Sequence, residues 1–86
     1  MSFMTQLSGN LRDARVAIGM TQQDVADRLG MSRPSVTHYE NGLRMPNLWV
    51  ASALAGMYGV SLDDIVPPVE TDLPIDENQM TFEEDM

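Results

Sequence analysis

A pair of short helices joined by a tight turn is predicted near the middle of the chain, and the ends of both helices are well marked. Thr21 is a good N-cap, and Asp24 follows it at the spacing of a capping box. Gly30 can adopt the left-handed backbone conformation that ends a helix. Ser32 then caps a second helix, and Pro34 suits its first turn. The segment therefore predicts a helical hairpin around which the rest of the chain must pack.

The two faces of this hairpin differ in polarity. Apolar residues recur at helical spacing on the inner side, where the two helices would pack together: Val25, Ala26, Leu29, Met31, Val36 and Tyr39. The outer face of the second helix carries residues that are polar and mostly short: Arg33, Ser35, Thr37 and His38. A helix with such a face can enter a DNA major groove. The hairpin therefore indicates nucleic-acid binding.

Three runs of this segment, in register, resemble the phage-repressor helix-turn-helix family, which includes the lambda repressor and Cro. The runs are Thr-Gln-Gln-Asp-Val-Ala at 21–26, Leu-Gly-Met-Ser at 29–32 and Tyr-Glu-Asn-Gly at 39–42. The similarity extends over about residues 7–66. It implies an all-α fold, a five-helix lambda-repressor-like DNA-binding domain over residues 1–66, followed here by an acidic C-terminal tail.

The second helix of the hairpin is the expected reading helix, and its exposed residues are the candidates for base contacts. We expect these contacts from Arg33, Pro34, Ser35, Thr37 and His38. Arg33 is the strongest candidate, because an arginine can donate two hydrogen bonds to one guanine, and a phosphate contact is its alternative. Pro34 stands where the family often has a polar residue, and its ring can meet a thymine methyl. His38 reads a base edge, touches phosphate or is merely exposed.

The resemblance also implies contacts to the DNA backbone and one contact within the domain. Phosphate contacts are expected from Gln22, Ser32, Asn41 and Arg44. Gln22 opens a helix, where free N–H groups suit a phosphate. Asn41 and Arg44 follow the reading helix, in a loop whose Asn-Gly pair also predicts a plain turn. Arg15 and Glu40 are expected to form a structural ion pair between the first helix and the end of the reading helix.

The charge distribution divides the chain into a near-neutral domain and an acidic tail. All five arginines lie between Arg12 and Arg44, and residues 1–66 contain six acidic residues, so this part has a net charge of −1. Residues 67–86 contain seven acidic residues and no basic residue, a net charge of −7. A domain with so few cations should bind phosphate weakly without sequence specificity. Tight DNA binding would therefore need base contacts, a dimer, or both.

A long uncharged stretch from Met45 to Leu62 predicts a fourth helix that is buried on more than one side. We expect this helix to begin after Asn47 and to end near Tyr58. Its predicted core face consists of Leu48, Ala51, Leu54, Ala55 and Tyr58. The predicted dimer or partner interface, on this helix and the short fifth helix, consists of Trp49, Val50, Ala53, Met57, Leu62 and Ile65. We expect a homodimer through this surface, and scattered exposed apolar residues are the alternative.

Two functional hypotheses fit these features. The first is a sequence-specific DNA-binding regulator, a repressor that acts as a homodimer on a palindromic operator in double-stranded DNA. The alternative is an antitoxin or accessory regulator whose acidic tail and fourth helix bind a protein partner. The composition of the tail, residues 67–86, favours disorder. Its apolar residues, among them Leu73 and Phe82, could instead dock on the fourth helix or on a dimer partner.

The composition disfavours several other classes of protein. The chain has no cysteine and one histidine, so we expect neither disulfides nor a metal site, and no cofactor. It has no apolar run long enough for a transmembrane helix and no secretion signal at its N-terminus, so we expect a cytoplasmic protein without a membrane partner. His38, Thr37 and Glu40 share one short helix and do not converge on a pocket, so we expect no enzymatic activity.

Overall fold

Five α-helices make up the part of the chain that the computed structural model describes, residues 2–69. They are α1 (Phe3–Ala17), α2 (Gln22–Leu29), α3 (Arg33–Glu40), α4 (Leu48–Tyr58) and α5 (Leu62–Ile65). The predicted all-α, five-helix fold is confirmed. Most of the predicted acidic tail, residues 70–86, lies outside the described residues, so the expectations for it stay predictions.

The ends of the hairpin helices are fixed by the residues that the sequence indicates. The Thr21 hydroxyl oxygen accepts a hydrogen bond from the Asp24 N–H, and the Asp24 carboxylate accepts one from the Thr21 N–H, each at 3.0 Å. This reciprocal cap satisfies N–H groups that have no partner inside the helix. Gly30 ends α2 with a φ of 65°, in the left-handed region, and Ser32 caps α3. The turn between α2 and α3 is therefore defined on both sides.

One hydrophobic core joins all five helices. Its buried members are Leu7, Leu11, Val25, Ala26, Val36, Tyr39, Val50, Leu54, Ala55, Tyr58 and Ile65. Ala26 is fully buried, and its small side chain lets α2 and α3 pack closely. Asn10 Nδ2 donates a hydrogen bond to the Ile65 carbonyl at 2.9 Å, which ties α1 to α5. The core thus holds the hairpin against α1, while α4 and α5 close the other side.

The face that α4 turns to the core includes four of the five predicted residues, Ala51, Leu54, Ala55 and Tyr58, and differs from the prediction at two positions. Leu48, predicted to face the core, is 72% exposed, whereas Val50, predicted to lie in an interface, is only 7% exposed. Val50, Leu54 and Tyr58 follow one another at intervals of four, which keeps them on one side of a helix. Leu48 falls outside that row. Because α4 carries no charged residue, its sequence has no polar face to indicate the rotation of the helix.

The last helix also corrects the predicted interface. Ile65 is 0% exposed because it closes the core, so its assignment to a dimer or partner surface is wrong, as is that of Val50. Pro67 is buried too, so the packed part of the chain extends one residue beyond the predicted boundary at 66. At the other end, α1 ends at Ala17, and Ile18, which follows it, is exposed.

Candidate nucleic-acid interface

The exposed side of α3 lies beside the N-terminus of α2, and together they form an open concavity. Its volume is about 400 Å³, and it is lined by Gln22, Arg33, Pro34, Thr37 and His38. Arg33, Pro34 and His38 are exposed, and the other two are half-buried. All five are predicted DNA contacts, and the fold brings them together on one side of the domain. A guanidinium, an imidazole and an apolar ring offer the contacts that base edges in a major groove can accept.

Ser32 and Ser35 are hydrogen-bonded to each other at the start of α3. The Ser32 hydroxyl oxygen accepts a hydrogen bond from the Ser35 N–H at 3.3 Å, and the two hydroxyl oxygens lie 2.9 Å apart. Their observed role is therefore to begin the helix. Ser32 is exposed and Ser35 is half-buried. Phosphate contact by Ser32 and base contact by Ser35 stay predictions.

Arg15 and Glu40 form a buried ion pair. Arg15 Nε donates to Glu40 Oε2 at 2.7 Å, and Arg15 Nη2 donates to Glu40 Oε1 at 3.0 Å. Only 13% of the Arg15 side chain and 2% of the Glu40 side chain are exposed. Arg15 Nη1 also donates to the Met20 carbonyl at 2.7 Å. These bonds tie the end of α1, the loop before α2 and the end of α3 together.

Gln22 extends this ion pair towards the surface of α3. Its amide Nε2 donates to Glu40 Oε1 at 3.1 Å, and its Oε1 accepts from the Thr37 hydroxyl at 2.8 Å. A continuous chain of hydrogen bonds therefore runs from Arg15 through Glu40 and Gln22 to Thr37. The sequence predicted DNA contacts for Gln22 and Thr37 but not their mutual hydrogen bond. Thr37 and Glu40 share one side of α3 because they lie three positions apart, and this spacing was the available signal for a common partner.

The buried ion pair affects the pKa values of the groups around it. The hydrogen bond to Glu40 raises the pKa of Arg15, against the effect of burial, which lowers it. Burial and, secondly, the negative charge of Glu40 raise the pKa of Tyr58 to about 12. The centre of the domain therefore contains one charged pair beside a tyrosine that stays neutral at ordinary pH.

The loop after α3 presents Asn41 and Arg44 to solvent. The Arg44 guanidinium carbon lies 6.0 Å from the centre of the Tyr39 ring, within the range of a cation–π contact. Gly42 has a φ of 73°, and a Cβ at this position would lie 3.5 Å from the Ser8 Oγ of α1. The loop is therefore a close turn against α1, as the Asn-Gly pair indicates. The phosphate contacts of Asn41 and Arg44 stay predictions.

Exposed apolar residues lie in that loop and at the start of α4. They are Leu43, Met45, Leu48 and Trp49, each more than half exposed. Trp49 belongs to the predicted interface, and its other members outside the core are half-buried: Ala53, Met57 and Leu62. Leu43, Met45 and Leu48 were not predicted for an interface. The uncharged stretch beginning at Met45 was a signal for two of them, but which apolar side chains point outward depends on the rotation of α4.

Residues 2–69 contain neither a cluster of metal ligands nor a helix suited to a bilayer. No group of three or more His, Cys, Asp or Glu side chains in that range is placed to hold a metal ion. None of the helices in the same range combines the length and the apolar character that crossing a bilayer requires.

Comparison with protein families and curated proteins places this fold among known proteins. A family model described as Helix-turn-helix matches residues 11–65, well over half of the chain. The cryptic phage CTXphi transcriptional repressor RstR of Vibrio cholerae is 33% identical over 66 residues, covering 77% of this chain and 60% of that protein. The HTH-type transcriptional regulator YqaE of Bacillus subtilis is 41% identical over 56 residues, covering 65% of this chain and 48% of that protein. The chain therefore spans about half to three fifths of the length of these relatives.

Solved structures give the same fold. The DNA-binding domain of BldD matches with a TM-score of 0.68 and 28% identity, covering 78% of this chain and 100% of that domain. The restriction-modification controller protein C.AhdI of Aeromonas hydrophila matches with a TM-score of 0.67 and 26% identity, covering 72% and 94% of the two chains. HppE, solved in complex with its substrate, has a TM-score of 0.72 and 27% identity, but the match covers 85% of this chain and only 41% of HppE.

The family match includes every element that forms the concavity. It begins at Leu11 in α1, contains α2 and α3 with the turn between them, and ends at Ile65 in the core. The resemblance to phage repressors seen in the sequence is confirmed by RstR and by the BldD and C.AhdI structures. The chain belongs to the helix-turn-helix family.

Proposed function

We propose that this protein is a transcriptional repressor that binds a palindromic operator in double-stranded DNA as a homodimer. The observation that carries the proposal is the position of exposed Arg33, Pro34 and His38 on α3, beside the N-terminus of α2. In a helix-turn-helix, the second helix enters the major groove while the first crosses the DNA backbone. The similarity to RstR, which is named as a transcriptional repressor, supports repression over activation.

We assign base reading to the exposed face of α3. Arg33 is the first residue of the helix and is exposed, so its guanidinium has room to donate two hydrogen bonds to a guanine. His38 lies five positions on, and its exposed imidazole can reach a second base edge or a phosphate. Pro34 lies beside Arg33 and offers an apolar ring for a thymine methyl. Ser35 is half-buried, so it is a secondary candidate.

Phosphate contacts fall to the elements on either side of α3. Gln22 is the first residue of α2, whose free N–H groups and positive dipole end favour an anion. Arg44 lies in the loop after α3, and Asn41 precedes it. Ser32 is exposed between the two helices. Because residues 1–66 have a net charge of −1, these few contacts would hold non-specific DNA weakly, and specific base contacts would supply the rest.

Dimerisation is proposed through the exposed apolar residues around the start of α4. Trp49 is 67% exposed, and its neighbour Leu48 is also exposed. Large apolar side chains of this kind are typical anchors of protein interfaces, tryptophan above all. In a two-fold dimer the two copies of α3 would enter successive major grooves about 34 Å apart, one turn of the duplex. A dimer also doubles the number of phosphate contacts per operator.

A protein partner is the alternative occupant of the same surface. Trp49 and Leu48 would be equally suitable for a different protein, and the acidic sequence of residues 70–86 would add charge to such a contact. An antitoxin or accessory regulator of this kind could still repress its own operon. The two proposals differ in what the purified protein does alone, because only the homodimer reads a palindrome without a partner.

A purely regulatory role without catalysis is proposed, in the cytoplasm where the operator would be. His38 is the single histidine of the chain, and it lies on the exposed side of α3. The carboxylate of the same helix, Glu40, is buried and accepts hydrogen bonds from Arg15 and Gln22. These groups therefore lack the mutual geometry of an acid–base pair.

The test is selection of binding sites from a pool of random DNA duplexes with the full-length protein. We expect a palindromic consensus whose half-sites are one helical turn apart. A consensus with a single, unrepeated half-site would argue for a monomer. No enrichment by a folded protein would contradict the proposal and favour the partner-binding alternative. Measured salt dependence would then report how many phosphates the protein contacts.

A further inference from the structure

We propose that Thr37 is a positioning residue: it holds the side-chain amide of Gln22 and thereby fixes α3 against the N-terminus of α2, instead of reading a base. The expected effect of Thr37 on DNA affinity rests on the proposed DNA-binding function. The structural part of the inference concerns the free protein and can be tested without DNA. It assigns a role to a contact that the sequence does not predict, between residues fifteen positions apart.

The orientation of the Gln22 amide is determined by its two neighbours. The Glu40 carboxylate can only accept hydrogen bonds when ionised, so the Gln22 nitrogen must face it, at 3.1 Å. The Gln22 oxygen then faces Thr37, whose hydroxyl donates to it at 2.8 Å. A flipped amide would place its oxygen against the carboxylate and its nitrogen against the hydroxyl, which loses the bond to Glu40. The chain of bonds from Arg15 to Thr37 therefore has one direction.

The Thr37 hydroxyl has a single hydrogen, and the structure offers it two acceptors. One is the Gln22 Oε1 at 2.8 Å, and the other is the Arg33 carbonyl of the preceding turn at 3.2 Å. The shorter bond is the one between helices. While the hydroxyl donates in either direction, it has no hydrogen left for a base acceptor. Thr37 is also half-buried, unlike Arg33 and His38 on the same helix.

The consequence for DNA binding lies at the N-terminus of α2. The Gln22 amide nitrogen carries two hydrogens, and one is used by Glu40. Among residues 2–69, no side chain or carbonyl accepts a hydrogen bond from the second hydrogen. Gln22 also opens the helix whose free N–H groups suit a phosphate. With its oxygen held by Thr37, the amide can present that second hydrogen to a phosphate without first losing rotational freedom. Thr37 therefore acts on the phosphate contact through Gln22.

The first arm of the experiment measures the free, full-length protein. Hydrogen exchange of the Gln22 side-chain amide is followed by NMR in the wild type, in Thr37→Val and in Thr37→Ser, with Gln22→Ala identifying the signal. We expect slow exchange in the wild type and in Thr37→Ser, and faster exchange in Thr37→Val, which has the same shape but no hydroxyl. Equal exchange in all three would overturn the proposal. Circular dichroism establishes that each variant is folded.

The second arm measures affinity for the selected duplex and for its single-base variants. We expect Thr37→Val to lower the binding affinity for all of these duplexes by a common factor, roughly fivefold to tenfold, which corresponds to the loss of one hydrogen bond. Thr37→Ser should restore most of the affinity. The double variant that combines Thr37→Val and Gln22→Ala should bind the selected duplex no more weakly than Gln22→Ala alone, because the two residues act as one unit.

A different pattern in the second arm would overturn the proposal. If Thr37→Val relaxes the preference at one base position and leaves the others unchanged, Thr37 reads that base. If the losses of Thr37→Val and Gln22→Ala add, the two residues act separately. Failure of the wild type to select any duplex would contradict the proposed function instead, and the amide exchange of the first arm would still decide whether Thr37 holds Gln22.

Discussion

Arg15 and Glu40 are joined by two hydrogen bonds between guanidinium and carboxylate, at 2.7 Å and 3.0 Å, although they lie 25 positions apart in the sequence. The pair links α1 to the last residue of α3, and Gln22 adds α2 to the same carboxylate. A buried ion pair contributes modestly as an intact unit, but loss of one partner leaves an unpaired charge in the core. The position of α3 therefore depends on a buried contact away from its exposed face.

Removal of one charge from this pair should destabilise the domain strongly. We expect Glu40→Gln to lower the free energy of unfolding by roughly 3–5 kcal/mol, because it leaves Arg15 buried without a counter-ion. Urea denaturation followed by circular dichroism measures the change.

The double variant Arg15→Met with Glu40→Met provides the matched comparison. It removes both charges and keeps apolar volume, so it should recover a large part of the stability lost in Glu40→Gln. Arg12→Met is the surface control, because Arg12 is exposed on the same helix, and its effect should stay within about 0.5 kcal/mol. Equal, small effects of Glu40→Gln and Arg12→Met would show that the pair does not hold α3.

Much of the fold could be predicted because its signals are local. Thr21, Ser32 and Gly30 each act within one helical turn, so the ends of α2 and α3 follow from a few neighbouring residues. The buried side of α3 could likewise be predicted, because Val36 and Tyr39 are apolar and lie three positions apart. Local caps and amphipathic periodicity are thus sufficient to place the candidate site on one helix.

The remaining features depend on contacts between distant segments. The rotation of α4 is set by what packs against it. Because its sequence is uncharged, the prediction placed Leu48 in the core and Val50 on the surface, whereas the structure has them the other way round. The bond between Thr37 and Gln22 depends on how α2 crosses α3. The spacing of Thr37 and Glu40 places them on one side of α3 but does not identify Gln22 as their partner. Sequence patterns therefore did not predict the contacts of side chains whose partners lie on other helices.

Ionisation of Tyr58 should destabilise the domain at high pH. Its pKa is raised from 10.0 to about 12, mainly by burial, so the neutral form is favoured in the folded state. This contribution is fully present below pH 10, the ordinary value, and is lost as the pH rises to about 12. Tyr58→Phe cannot ionise. Its unfolding free energy relative to the wild type should therefore increase by roughly 2–3 kcal/mol across this window.

Urea unfolding of both proteins at several pH values between 9 and about 12 checks this. The other tyrosine, Tyr39, is present in both proteins, so its effect cancels in the difference. A difference in unfolding free energy that stays constant across the range would mean that Tyr58 ionises as easily in the folded chain as in the unfolded one.

The exposed apolar residues at the start of α4 should determine self-association. We expect Trp49→Ser to raise the dimer dissociation constant at least tenfold, because a tryptophan anchor typically contributes 2 kcal/mol or more, roughly, to an interface. Sedimentation equilibrium of the full-length protein measures this constant. Val16→Ser is the matched control, since Val16 is also exposed but lies on α1. Equal effects of the two changes would place the dimer interface elsewhere, and a wild type that stays monomeric would contradict the homodimer.

The most direct test of the reading helix is the base preference of an Arg33→Ala variant. Its affinity is measured on the selected operator and on every single-base variant of one half-site, next to the wild type and to Arg44→Ala. We predict that Arg33→Ala loses roughly 1–3 kcal/mol on the operator and no longer discriminates at one base pair. Arg44→Ala should lower the binding affinity for all duplexes by the same factor. Uniform weakening by Arg33→Ala, with every base preference intact, would contradict the assignment of α3 as the element that reads DNA sequence.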